Sequence, residues 1–91
     1  MKYIVHKGNR CLEEIDIFCE TSSISHSVRA EKLGILDNVI SAGFLKFEED
    51  GSVHCGGFSN SLSDKLGRAV TSRGAADEQV FKIHNTISKR W

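Results

Sequence analysis

Residues 39–55, VISAGFLKFEEDGSVHC, decide the fold, because they predict a β-hairpin on local grounds alone. In residues 44–48, a strand would place Phe44, Lys46 and Glu48 on one face and the apolar Leu45 and Phe47 on the other. The pair Asp50-Gly51 favours a type I′ turn, and Val53 begins the returning strand. Gly43 interrupts the first strand and predicts a kink or a bulge there. The second half of the chain therefore contains an antiparallel strand pair.

Two further strands and a short helix are predicted before this hairpin. Tyr3-Ile4-Val5 is a β-rich run that Gly8-Asn9 stops, and residues 11–18 carry a second run of β-branched and aromatic side chains. Serines within residues 22–25 offer N-cap oxygens for a helix that ends at Gly34. The first half of the chain therefore has the order β-β-α.

The end of the chain predicts a second, longer helix. Residues 77–91 place acidic side chains in the first turn and basic ones in the last, which suits the helix dipole. The apolar face of this helix comprises Ala76, Val80, Ile83 and Ile87. Residues 62–74 are compatible with a short helix or with an extended segment.

These elements predict the order β-β-α-β-β-α within a single domain of residues 1–91. We expect an α+β fold, with a four-stranded, mostly antiparallel sheet and two helices on one face. Two helices would leave the other sheet face uncovered, and large apolar patches on small proteins usually mark interfaces. A second copy of the chain is the simplest cover, so the pattern predicts a homo-oligomer.

The amino-acid composition of the chain argues against several classes of function. Twelve Lys and Arg balance twelve Asp and Glu, and a formal net charge of zero argues against a dedicated nucleic-acid-binding protein. The 40% hydrophobic and 26% charged residues are typical of a folded globular chain. Three cysteines without a C-x-x-C motif fit a reducing compartment, and no apolar run is long enough to span a membrane. We therefore expect a cytoplasmic protein that binds neither nucleic acid nor membrane.

The loop of residues 55–64, CGGFSNSLSD, has a composition that suggests binding chemistry. Glycine lets a backbone approach a bound group, serine hydroxyls form hydrogen bonds, and nearby arginines would balance a negative charge. An anion site here, for a small molecule or a protein partner, would be formed by Gly57, Ser59, Ser61, Arg68 and Arg73. The same residue types also make ordinary turns, so a plain surface loop is the competing interpretation.

His26 is the candidate catalytic residue. It follows the capping serines, so its ring would stand at a helix N-terminus beside backbone N–H groups that attract anions. A neutral histidine there could act as base or nucleophile towards a phosphoryl group. The competing interpretation is a histidine in the first turn of a surface helix. The spacing of histidines and cysteines matches no structural zinc motif, and we expect neither a metal nor a cofactor.

The second half of the chain resembles small uncharacterised bacterial proteins of the type carried on mobile gene cassettes. The resemblance rests on residues 39–44, Asp50-Gly51, residues 57–62, Ser72-Arg73 and Asp77. It implies a compact bacterial single-domain protein, often oligomeric, whose ligand or partner is unassigned.

The order of the elements is similar to that of the phosphohistidine phosphatase (janus) family. That family has a catalytic histidine at the first helix, a glycine-rich central strand, and a G-[FY]-S loop after the hairpin that holds phosphate. The matching positions here are His26, Ser41-Ala42-Gly43 and Gly57-Phe58-Ser59. The family's glycine triplet and following arginine are replaced by residues 41–44, and its small-residue and histidine pattern after the loop is not reproduced.

Two functional hypotheses from different classes follow. The first is a non-enzymatic, homo-oligomeric binding or interaction protein that uses the uncovered sheet face or the loop. The second is phosphoryl hydrolysis with His26 as base and residues 57–61 as the phosphate cradle. The second requires His26 and the loop to converge, since a general base must lie within about 2.6–3.2 Å of the group whose proton it takes.

Overall fold

The fold is a four-stranded sheet with three α-helices, seen in a computed structural model that describes residues 1–8, 12–19 and 24–88, with side chains described as far as residue 84. The strands are β1 (Lys2–Lys7), β2 (Glu13–Phe18), β3 (Val39–Phe47) and β4 (Val53–Gly56). The helices are α1 (His26–Leu33), α2 (Asn60–Leu66) and α3 (Ala75–Ser88), and a 3-10 turn, Leu36–Asn38, leads into β3. In the described part of the chain, no helix combines the length and apolar character needed to cross a membrane.

The sheet has the strand order β2-β1-β3-β4, and each strand pairs antiparallel with its neighbour. The predicted α+β class and antiparallel four-stranded sheet are therefore confirmed. Strands β1 and β3 lie in the centre, and Ile4 of β1 stands opposite Ala42 of β3 with both side chains fully buried. The order places the first strand of the chain between two later partners, which local sequence patterns do not reveal.

Gly43 lies in a regular part of the sheet, opposite Tyr3 of β1. The irregularity in β3 pairing falls between Val5 and His6 of β1, so the predicted kink or bulge at Gly43 is wrong. A Cβ atom at position 43 would collide with the carbonyl oxygen of Gly56 on β4. Glycine is therefore required here by the close approach of the neighbouring strand, and not by a bend of its own.

The β3–β4 hairpin is closed by a 2.9 Å hydrogen bond from the Glu48 N–H to the Ser52 carbonyl oxygen. Residues 49–51 lie between these two, one residue more than a type I′ turn contains. Gly51 has a φ of 87°, and the Asp50 carboxylate accepts a 2.9 Å hydrogen bond from the Ser52 N–H. The Asp-Gly pair thus marks the position of the turn correctly, whereas its type differs.

The helices α1 and α2 each begin at a serine cap. In α1 the Ser25 hydroxyl accepts from the Val28 N–H, and the left-handed Gly34 ends the helix as predicted. In α2 the Ser59 hydroxyl accepts from the Leu62 N–H at 3.2 Å. Residues 62–74 therefore contain the end of a separate short helix, and the prediction of two helices is wrong.

The helices cover both faces of the sheet. On one face, called the α1/α2 face, the core comprises Ile4, Phe18, Ala30, Ile35, Val39, Ala42, Leu62 and Val70. On the other, called the α3 face, Val80 and Phe81 of α3 pack against a core of Tyr3, Val5, Ile15, Leu45, Val53 and Cys55. The predicted placement of both helices on one face is wrong, because the partner of α1 is α2. A homo-oligomer no longer follows from an open sheet face and stays a prediction.

Asp77, in the first turn of α3, ties this helix to the sheet. Its buried carboxylate accepts hydrogen bonds from the Tyr3 hydroxyl (2.5 Å), the Ser41 hydroxyl (2.7 Å), and the backbone N–H and Nε of Arg73 (both 2.8 Å). Arg73 also donates to Glu13 of β2 at 2.6 Å. Burial alone would raise the pKa of Asp77, but the bonds from Tyr3, Arg73 and Ser41 outweigh it and lower that pKa. One carboxylate therefore joins α3 to β1 and β3.

We predict that Asp77→Asn lowers the free energy of unfolding by about 3 kcal/mol, because the amide cannot accept all of these bonds and leaves Arg73 without its buried anionic partner. Urea denaturation at neutral pH measures the change. The matched control is Asp37→Asn, since Asp37 is exposed in the 3-10 turn, and its effect should stay within about 0.5 kcal/mol. Equal midpoints for the two variants would contradict the assignment.

Acid denaturation gives a second readout of the same contact. The pKa of Asp77 lies below its unfolded value of 3.8 in the folded protein. Its stabilisation is therefore complete well above that unfolded value and is lost as the pH falls through the folded pKa. The wild type should lose stability more steeply than Asp77→Asn below about pH 4.

Candidate functional site

His26 is the first residue of α1 and lies on the α1/α2 face, only 5% exposed. Its ring contacts Phe18 and Phe44 edge-on, with both centroid distances at 5.6 Å. The Nε2 atom is 2.9 Å from the Gly43 carbonyl oxygen. A carbonyl oxygen only accepts hydrogen bonds, so Nε2 carries a proton and donates it to this bond. In the neutral ring, Nδ1 is then the basic nitrogen.

The environment of His26 keeps the ring neutral. Burial lowers the pKa of His26, and the Lys2 ammonium lowers it further, against the opposing effect of the Gly43 hydrogen bond. Nδ1 has no hydrogen-bond partner among the described residues. Since no described side-chain nitrogen or oxygen is both fully buried and unpartnered, Nδ1 reaches solvent. The site therefore presents a neutral imidazole whose lone pair faces outward.

Lys2 is the cation of this site, and the sequence did not indicate it. It stands between Phe18 of β2 and Phe44 of β3 in the sheet register, and its ammonium group donates to the Ile24 carbonyl oxygen at 3.0 Å. Its charge acts on His26, which lies far along the chain. The pairing of β1 between β2 and β3 brings the two together. No local motif around Lys2 could have revealed this.

The small-residue loop meets the start of α1, as the phosphoryl hypothesis requires. The Ser27 N–H donates to the Ser61 hydroxyl oxygen at 3.1 Å, which joins the residue after His26 to the first turn of α2. Ser59, 1% exposed, caps α2 and lies 3.4 Å from Ser61 between the two hydroxyl oxygens. Ser59 and Ser61 therefore already accept hydrogen bonds from backbone N–H groups near the N-termini of α2 and α1, respectively.

Gly57 holds the loop against the sheet. Its φ of 81° is one that other residues rarely adopt, and a Cβ atom there would lie 3.0 Å from the Phe44 ring. Phe44 in turn contacts His26, so the loop, the aromatic ring and the imidazole form one layer. Of the predicted site residues, the structure brings together His26, Gly57, Ser59 and Ser61.

The two predicted arginines are engaged elsewhere. Arg68 donates to the Val39 carbonyl oxygen at 2.7 Å, at the start of β3. The Arg73 guanidinium lies with Asp77 and Glu13 on the α3 face. Anion binding by the complete predicted set stays a prediction, but among the described residues Lys2 is the cation close to His26.

The cysteines and histidines form no common metal site in the described part of the chain. No group of three or more His, Cys, Asp or Glu side chains comes together there in a way that could hold a metal ion. Cys19 is exposed and Cys55 is buried, and Cys11 lies outside the described residues. Burial raises the pKa of the Cys55 thiol to about 11, which makes it a poor nucleophile at neutral pH.

A second candidate region is the apolar surface at the end of β3, which we call the Phe44–Phe47 surface. It comprises Met1, Phe44, Leu45, Lys46 and Phe47, which line a concavity of about 500 Å³. Phe44 is 43% exposed and Phe47 54% exposed. The two rings lie on opposite sheet faces, one against His26 and the other edge-on to Phe81 of α3 at 5.8 Å. This surface therefore wraps around the end of the sheet.

Comparison with known proteins adds no functional assignment. No protein-family model matches the chain, and no curated protein and no solved structure is significantly similar to it. The resemblances to gene-cassette proteins and to the phosphohistidine phosphatase family stay predictions. The function must therefore be argued from the geometry of the two candidate regions.

We predict that Gly57→Ala destabilises the protein more than Gly51→Ala. Both glycines have a positive φ, so each substitution costs about 1 kcal/mol in backbone strain. A Cβ at position 57 also presses on Phe44, whereas one at position 51 meets nothing within 4 Å. Urea denaturation should show this difference, and it should shrink when both variants are made in a Phe44→Ala background. Equal losses in the wild-type background would contradict the role of Gly57.

Proposed function

We propose that this domain is a non-enzymatic interaction protein that associates with a second copy of itself through the Phe44–Phe47 surface. The observation that carries this proposal is the pair of half-exposed phenylalanines beside a 500 Å³ concavity at one end of the sheet. Aromatic side chains and methionine are enriched at protein interfaces. The resemblance to gene-cassette proteins, which are often oligomeric, points the same way and adds a bacterial setting. The three cysteines without a C-x-x-C motif favour a reducing, cytoplasmic one.

Burial of the two exposed phenylalanines supplies only part of the free energy that an oligomer needs, so the proposed association is weak and reversible. Complete burial of a phenylalanine stabilises by about 1.5–3 kcal/mol, so covering the exposed halves of Phe44 and Phe47 contributes about 1 kcal/mol each. Two copies would double this gain, which is then set against an association cost of at least about 4 kcal/mol. The zero net charge removes general repulsion between copies. We therefore expect an oligomer whose population depends strongly on concentration.

Pairing through the β4 edge is a less suitable route. The Cys55 N–H on β4 donates to the Glu78 carboxylate of α3 at 3.0 Å. An edge strand whose N–H group is already bonded to a charged side chain is protected against pairing with another strand. The proposed contact is therefore one between side chains at the end of the sheet, and not an extension of the sheet from β4.

The test is the effect of Phe47→Ser on mass in solution. Light scattering over a dilution series should show the wild type above the mass of one chain at high concentration, and Phe47→Ser as a single chain throughout. Phe58→Ser is the matched control, because Phe58 is 55% exposed and lies outside the surface. The proposal fails if the wild type is a single chain at every concentration, or if Phe58→Ser has the same effect as Phe47→Ser.

A second candidate function is phosphoryl hydrolysis, as the phosphohistidine phosphatase resemblance implies. It is favoured by the solvent-facing Nδ1 of a neutral His26, with Lys2 close by and the Ser61 loop in contact with the same helix end. Nδ1 would take a proton from the attacking water, and Lys2 would balance the charge of the phosphoryl group. This candidate ranks second because the Ser27 and Val28 N–H groups are already bonded to serine oxygens, with which a phosphate would compete.

Hydrolysis of p-nitrophenyl phosphate tests this candidate. His26→Ala should abolish the activity, whereas His54→Ala, which removes an exposed histidine on β4, should leave it unchanged. Because burial and Lys2 lower the pKa of His26, the active neutral form should persist below pH 6.5, the unperturbed value. A wild type without activity, or His26→Ala with full activity, would remove His26 from any such mechanism.

A further inference from the structure

His26 is also a structural contact between α1 and the sheet. The Nε2–Gly43 hydrogen bond joins the first residue of α1 to β3, and the Ser27–Ser61 bond joins the next residue to α2. Further along the helix, Ala30 is fully buried in the core of the α1/α2 face. An isolated helix of eight residues is not stable in water, so α1 depends on these contacts.

A proton on Nδ1 would be unfavourable in this position. The imidazolium would stand at the N-terminal, positive end of the α1 dipole and close to the Lys2 ammonium. Its new N–H group has no acceptor among the described residues. Only 5% of the residue is exposed, so a charge on the ring would be largely desolvated even though water reaches the edge of Nδ1. The hydrogen bond to Gly43 favours the charged ring, but burial and the Lys2 ammonium outweigh it and lower the pKa of His26.

The other charged groups around this face do not offset that charge. On β2, Asp16 is bonded to Arg29 of α1 through a bidentate pair at 2.8 and 3.0 Å. Between the helices, Lys65 of α2 pairs with Glu31 of α1. On β3 the next charged residue is a further cation, Lys46. Asp16 and Glu31 are therefore already paired, and Glu13 of β2 is bonded to Arg73. The other carboxylates on these elements are Glu14 of β2 and Asp64 of α2. The charge that acts on the pKa of His26 is that of Lys2.

We propose that His26 is an acid-sensitive latch, whose protonation detaches the start of α1 from β3 and uncovers Phe18 and Phe44. The α3 face should remain closed under the same conditions. Its Asp77 carboxylate stays ionised at mildly acidic pH, because the hydrogen bonds that it accepts lower its pKa. Acid would then open one face of the sheet before the other. This inference depends on neither of the functions proposed above.

The sign and size of the effect follow from proton linkage. The pKa of His26 is lowered in the closed state, whereas in the released state it returns towards 6.5. The released state therefore binds one more proton as the pH falls below that value. Its population relative to the closed state should rise by up to about tenfold per pH unit.

Hydrogen exchange resolved by residue tests the latch. From about pH 6.5 to 5.5, protection of the α1 amides, corrected for intrinsic exchange, should fall by up to about fivefold while the α3 amides keep theirs. His26→Gln, which can still donate to Gly43, should abolish this fall. His54→Gln, at an exposed position on β4, should behave as the wild type. Equal protection of α1 at both pH values in the wild type would overturn the proposal.

An NMR titration of the His26 imidazole in the wild-type protein gives a test that needs no variant. The proposal requires a midpoint below 6.5, accompanied by shifts of the Phe18 and Phe44 ring signals. A midpoint at or above 6.5 would overturn it, since the closed state would then accept the proton. If His26→Gln does not fold, this titration and the wild-type exchange data decide the question.

Discussion

The buried carboxylate of Asp77 is the contact on which the arrangement of both faces depends. It is inaccessible to solvent, yet every bond it accepts comes from a donor fixed by a different part of the fold: Tyr3 on β1, Ser41 on β3 and Arg73 before α3. A buried charge is stable only when it is satisfied in this way. The cost of moving α3 elsewhere would therefore include leaving this charge without partners.

The position of α3 determines which surfaces remain for function. With helices on both faces, most apolar side chains of the strands are covered within one chain. The large apolar groups left at the end of β3 are Phe44 and Phe47, which stay about half-exposed although each contacts a side chain of a helix on its own face. Phe44 also contacts His26, so the interaction surface and the histidine site share one side chain. A substitution in either region should therefore also affect the other.

Gly43 connects the same two regions through the backbone. Its lack of a side chain allows β4 to approach, which places the Gly56-Gly57 segment beside Phe44. Its carbonyl oxygen accepts a hydrogen bond from the Nε2–H group of His26, so Nδ1 is the basic nitrogen of the ring. A single strand position thereby orients the imidazole and positions the loop.

Local sequence patterns determined the elements whose hydrogen bonds close within a few residues. The β3–β4 hairpin follows from the alternation of residues 44–48 and the Asp50-Gly51 pair, and α1 follows from its Ser25 cap and Gly34 stop. The amphipathic spacing of α3 likewise predicted a helix. The sequence left open whether His26 and the loop converge, and the Ser27–Ser61 hydrogen bond brings the residue after His26 to the loop.

Only the tertiary structure decided which face each helix covers and which charges meet. A helix pattern shows that one side must be buried, but the buried side is compatible with either sheet face. Lys2 reached His26, and Arg73 reached Glu13, through strand register and long-range packing. Such contacts join residues far apart in the chain, and no local period or motif records them. For this reason the sequence located the histidine and the loop, while the cation beside them became visible only in the folded chain.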